Sequence, residues 1–159
     1  MDNYNIETYD KYCITDIVKI QIYRLLQFSE YDFSEYIGTD LNVYGEFEYE
    51  HYEDYFIDEK RKIYLLKINN NLAGFAFINN ISYQLNNDNT LCVAEFFIMK
   101  KYRKKGYGRI LAKYIFDTLN GKWEVFQMKN EKVLTLVEGA VMVALATVLS
   151  FVKIIHLPW

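Results

Sequence analysis

Cysteine and histidine are scarce in this chain: its 159 residues hold only Cys13 and Cys92, far apart and in no CxxC pair, and only His51 and His156. Neither a disulfide framework nor a zinc-ligand set can be assembled from so few, and no metal is expected. An excess of one charge is missing too. Eighteen Lys and Arg against 21 Asp and Glu leave a net charge of −3, which gives no long-range field to attract a polyanion and implies no nucleic-acid partner. The opening residues, Met1 to Asp10, carry acids and no apolar run behind a basic start. They lack the make-up of a secretory signal, so a reducing, cytoplasmic location is expected. What the chain does have is apolar and aromatic material, 52% and 18% of residues, enough to offset ordering entropy in one domain of this length.

Patterning divides the chain into elements. Tyr4 to Tyr9 alternates polar residues with β-formers and predicts a first strand. Ile14, Ile17, Val18, Ile22, Leu25, Leu26 and Phe28 recur at helical spacing, with Thr15 or Asp16 available as N-cap. Ser29 to Lys62 is rich in Tyr and acids, is broken by Gly38 and Gly45, and predicts short helices and loops. Ile63 to Ile68 and Leu72 to Asn79, joined by Asn69, Asn70 and Asn71, predict a hairpin. After a second turn at Asn86 to Asn89, Leu91 to Met99 reads as a central strand buried on both faces. A basic, glycine-containing loop and a helix through Leu119 follow. Trp123 to Gln127 then supplies a strand parallel to Leu91 to Met99.

The chemistry is concentrated in Arg103-Lys104-Lys105-Gly106-Tyr107-Gly108, placed just ahead of that helix. Unpaired amides and the helix dipole face whatever lies above such a turn. Gly106 and Gly108 let the backbone approach a bulky diphosphate, and Arg103, Lys104, Lys105 and Arg109 add charge. Taken alone, the loop also fits a tight connection with a solvated basic rim. The Walker pattern is absent, and Leu111 stands where a dinucleotide fingerprint needs its third glycine.

The stretch from Ala94 to Arg109, with R-x-x-G-x-G matched in full, resembles the acyl-CoA signature of the GNAT superfamily of acetyltransferases. The likeness covers about residues 4 to 127. It implies an α+β fold with a mixed, mainly antiparallel central sheet flanked by helices. It also implies acetyl-CoA as co-substrate and direct acetyl transfer to a primary amine. By the same resemblance, backbone groups of Phe97, Ile98 and Met99 would pair with the pantetheine arm, and residues 104 to 109 would give amides to the diphosphate. Asn130 resembles the Asn that often opens the next helix near the coenzyme, although it also fits a solvated turn. The family's tyrosine acid has no counterpart, since no Tyr follows Tyr114.

An amine nucleophile must lose a proton, and Glu95 on the predicted central strand is the candidate base. Two readings fit it: a carboxylate with its pKa raised by desolvation, or a structural partner for a loop lysine. The acids of residues 46 to 59 fit either a wall that selects a cationic amine or a solvated face.

From Val133 onward the composition shifts to Ala, Val and Leu, with Glu138 and Lys153 the only charged side chains. The expected division is therefore 1–127 as the acetyltransferase-like domain and 128–159 as an apolar helical tail in place of the closing strands. Leu134 to Val152 approaches the length of a membrane span, a buried helix being the other reading. Residues 128 to 159 resemble the N-terminal segment of a thiamine-transporter substrate-binding subunit, which suggests joined reading frames and membrane association through residues 133–156. The functions that survive are an amine acetyltransferase, an acyl-CoA-binding module with little catalysis, and a non-functional chimera.

Overall fold

The computed structural model describes residues 2–80 and 90–125. β1 is Tyr4–Tyr9, α1 is Asp16–Ile37, β2 is Arg61–Ile68, β3 is Asn71–Asn79, β4 is Thr90–Ile98, α2 is Tyr107–Thr118 and β5 is Lys122–Val125. Short 3-10 turns stand at Glu53–Phe56 and Lys100–Tyr102. The five strands form one sheet in the order β1-β2-β3-β4-β5. The first three pairings are antiparallel and β4 with β5 is parallel.

Alternation along the strands sends side chains to two cores. Ile63, Leu65, Phe75, Phe77 and Phe97 pack with Val18, Ile22, Leu25 and Leu26 of α1. Tyr64, Leu66, Ala76 and Ile78 pack with Leu111 and Ile115 of α2. The hairpin between β2 and β3 turns on Asn69 and Asn70 at φ 50 and 64, the left-handed region that Asn tolerates.

Two expectations are corrected. α1 does not end near Phe28 but runs to Ile37, where Gly38 at φ 71 gives its amide to the Ser34 carbonyl at 2.8 Å. Ser29, wholly buried, continues the inward face that the acids around it disguise. The strand buried on both faces is β3, from Ala73 to Asn79, whereas residues 93 to 96 of β4 are partly exposed. Asn86 to Asn89, Asn130 and the apolar tail lie outside the described residues. Among the described residues no helix is long and apolar enough to cross a membrane.

Candidate active site

The end of β4 and the start of α2 form the site. Phe77 pairs with Glu95 but Ile78 pairs with Val93, so Ala94 is one residue extra, a β-bulge. The bulge resets the alternation. Val93 joins the α2-side core, while Glu95, opposite Phe77, faces α1.

β5 pairs only with Thr90 to Val93, so among the described residues the outer edge of β4 has no strand partner from Ala94 on. The Met99 amide goes inward to the Ala73 carbonyl at 2.9 Å. By the alternation of an antiparallel ladder, Phe97 also turns its backbone to β3, and Phe96 and Ile98 turn theirs outward. The Ile98 carbonyl accepts from Arg103 Nε at 2.6 Å. Of the three residues expected along the pantetheine arm, Ile98 alone therefore presents its backbone to the open edge.

Gly106, at φ 85, is the N-cap of α2, and no side chain caps the first turn. The amides of Tyr107, Gly108 and Arg109 belong to that turn and have no intrahelical partner. The Tyr107 side chain is buried, and its hydroxyl donates to Asp2 Oδ2 at 2.6 Å. Lys104, Lys105 and Arg109 are exposed around the loop. Arg103 is also exposed in part, yet its guanidinium pairs with Asp32 of α1. A Cβ on Gly108 would meet Ile98 Cγ1 at 3.7 Å and Phe96 Cε1 at 3.8 Å, ordinary contact that seats the helix start against the end of β4.

Glu95 lies three residues before Ile98, about 10 Å along the strand at about 3.3 Å per residue. Its carboxyl is pushed up to about 8, first by burial and then by the negative charge of Glu30 on α1; a hydrogen bond from Tyr49 offsets part of this. Burial raises Glu30 as well. The ring of Tyr49 meets Phe77 edge-on at 6.0 Å. Burial, followed by the Glu95 charge, keeps the Tyr49 hydroxyl protonated far above the ordinary tyrosine range. Among the described residues no lysine forms an ion pair with Glu95, and Lys100 of the loop pairs with Asp32 at 2.9 Å. Glu30 and Tyr49 escaped sequence reasoning because they come from a region read as loops, and only the fold brings them to β4.

Most acids between 46 and 59 are already engaged. Glu46 accepts from Tyr23, Asp54 and Asp58 pair with Arg61, and Glu59 pairs with Lys11.

Replacing Tyr49 by Phe removes a donor that favours ionised Glu95. With Glu95 as the base expected from the sequence, the pH midpoint of turnover should move to higher pH, with a loss at pH 7 on the order of fivefold for a hydrogen bond of about 1 kcal/mol. A pH-rate profile of the variant checks this.

A family model described as "Acetyltransferase (GNAT) family" matches residues 21–132. Solved structures agree in fold. A possible acetyltransferase from Clostridium difficile 630 superposes with a TM-score of 0.61 at 14% identity, covering 91% of this chain and 89% of that one. Ribosomal-protein-alanine N-acetyltransferase from Brucella melitensis biovar Abortus 2308 gives a TM-score of 0.54 at 12% identity, covering 87% and 90%. Aminoglycoside acetyltransferase AAC(6')-Iy, in complex with the bisubstrate analogue CoA-S-monomethyl-acetylneamine, gives 0.51 at 9% identity, covering 87% and 88%. No curated protein matches the sequence. With its mixed sheet and uncapped glycine turn, and with the family model spanning most of its length, the chain belongs to the GNAT family of acetyltransferases.

Proposed function

We propose that the chain moves an acetyl group from acetyl-CoA directly to a primary amine. The observation that carries this reading is the R-x-x-G-x-G turn, whose left-handed Gly106 opens an uncapped helix beside the end of β4, where the outer edge has no strand partner among the described residues. The first-turn amides and Gly106 receive the diphosphate, with Lys104, Lys105 and Arg109 supplying charge around it. The pantetheine arm runs along the outward backbone of Phe96 and the amide of Ile98, whose carbonyl stays on Arg103, in β-like pairing.

Glu95 is the general base, acting directly or through water. The amine nitrogen attacks the thioester carbonyl and its proton passes to Glu95. The C–S bond then breaks, and the thiolate leaves and takes up a proton as CoA. No covalent acyl-enzyme forms. The chain's own contribution is to orient the thioester on β4 and to hold a carboxylate whose raised pKa suits proton transfer near neutral pH.

The test is thiol release from acetyl-CoA with a panel of amines that includes aminoglycosides and alanine-bearing peptides, chosen from the names of the structural neighbours. Amine-dependent release and an N-acetylated product support the reading. Binding of CoA without release with any amine would favour an acyl-CoA-binding module instead.

The composition shift from Val133 onward supports the division into 1–127 and 128–159 and a membrane-seeking tail. Fractionation of the expressed chain tests this, and recovery entirely in the soluble fraction would remove the tail's membrane role. Sequencing across the codons for 123 to 133 tests the joined-frame origin.

A further inference from the structure

Six cations, Lys100, Lys101, Arg103, Lys104, Lys105 and Arg109, crowd the connection from β4 into α2. Two of them are turned onto one carboxylate of another element. Asp32 of α1 takes Lys100 Nζ on Oδ1 at 2.9 Å and the Arg103 guanidinium on Oδ2. The Asp32 side chain is only 16% exposed, against 39% for Arg103. The same guanidinium donates Nε to the Ile98 carbonyl at 2.6 Å and lies 5.4 Å from the centre of the Phe97 ring. Arg103 is thus held by α1, by the end of β4 and by a core ring.

The residue that follows, Lys104, has φ 60. A lysine adopts the left-handed region only where its surroundings impose it, and the tethered Arg103 immediately before it is the constraint at hand. From Lys104 the chain passes through Gly106, at φ 85, into α2. The orientation of the loop amides therefore depends on where Arg103 is fixed.

We propose that Asp32 is a positioning residue for the coenzyme. By clamping Lys100 and Arg103 to α1, it sets the backbone of residues 104 to 109 in the conformation that receives the diphosphate. It also keeps the Arg103 guanidinium on the Ile98 carbonyl rather than on a phosphate. The inference rests on the coenzyme reading above. Long-range electrostatics alone predicts the opposite sign, because removing a carboxylate from beside a polyanion site strengthens attraction for the polyanion.

The experiment is calorimetric titration of the full chain with CoA. Asp32→Asn is expected to weaken binding about tenfold. Lys100→Met is expected to weaken it about threefold in the unaltered background and to add nothing on top of Asp32→Asn, because its partner has gone. Unchanged or tighter binding by Asp32→Asn overturns the clamp, as does full additivity of the two substitutions. Should Asp32→Asn not fold, Asp32→Glu decides, since it keeps the charge and moves it by one methylene: a loss of affinity supports the clamp and an unchanged affinity overturns it. If the unaltered chain binds no CoA, the coenzyme reading itself falls, and the clamp's role with it.

Discussion

Glu95→Gln is expected to lower kcat by about 10²- to 10³-fold, the contribution of a positioned general base, and at the same time to raise the melting temperature in alkaline buffer. The two effects have one origin. The carboxyl is held near 8 against an ordinary 4.5, burial being the largest cause and Glu30 the next. The groups facing it are Glu30 of α1, the hydroxyl of Tyr49, and Tyr55, which stacks on Phe77 at 4.2 Å. With the ionised form as the proposed base, the rate should climb with pH through about 8 and level off above it. An acceptor amine of low pKa keeps its own titration out of that window. The variant should lack this limb.

The sign for stability follows from proton counts. Between 4.5 and about 8 the folded chain holds a proton on Glu95 that the unfolded chain has released. Stability at this site is therefore present below 4.5 and is lost as pH rises towards 8. Glutamine has no proton to lose. Melting curves of the two proteins should nearly coincide at pH 4.5, and the variant should melt higher at pH 9, so that lost activity comes with gained stability. Coincident curves at pH 9 would mean that Glu95 is not desolvated.

Gly74→Ala is the second large effect, and it acts on stability. Gly74 faces Ile98 across the β3–β4 ladder. A Cβ there would stand 2.3 Å from the Phe97 carbonyl oxygen and 2.7 Å from Ile98 Cδ1. The Ile98 side chain can rotate away, but the Phe97 oxygen is backbone and can yield only by parting the strands. Overpacking of this kind costs about 3 kcal/mol, or about 10 °C at about 2–4 °C per kcal/mol for a chain of this size. The strain falls on the segment of β4 proposed to carry the pantetheine arm, so any protein that still folds should bind CoA more weakly. Thermal melts, followed by CoA titration of the folded fraction, check both parts. By contrast, Gly108 has room for a methyl at 3.7 Å or more, and its replacement by Ala should leave the melting temperature nearly unchanged.

Strand alternation, the Asn-rich hairpin turn and the strand, glycine loop, helix succession were all legible in the sequence. β1 spans Tyr4–Tyr9 as the alternation predicts, and β5 pairs parallel to β4. Local rules suffice for these because each element carries its own period and its own punctuation. What local rules missed depends on contacts between distant segments. The second half of α1 is masked by acids and tyrosines between Ser29 and Tyr36, and only its packing reveals that Ser29 is buried, that Glu30 acts on Glu95 and that Asp32 meets Arg103. Arg103 shows the same limit. Its type and place in R-x-x-G-x-G suggest a phosphate contact, yet a carboxylate 71 residues earlier has taken the guanidinium. The bulge at Ala94, which sets the side on which Glu95 emerges, leaves no compositional trace.

The central claim is that backbone amides at the Gly106 turn hold the diphosphate of the coenzyme. Titration calorimetry with CoA on the unaltered chain and on Gly106→Val tests it most directly. A Cβ at Gly106 meets nothing within 4 Å, but φ of 85 is strained for any β-branched residue. The substitution therefore disturbs the turn itself and crowds no neighbour. Saturable binding by the unaltered chain, weakened by about 100-fold in the variant or about 2.7 kcal/mol, is the predicted result. Equal binding by the two proteins, or no heat with either, would contradict it.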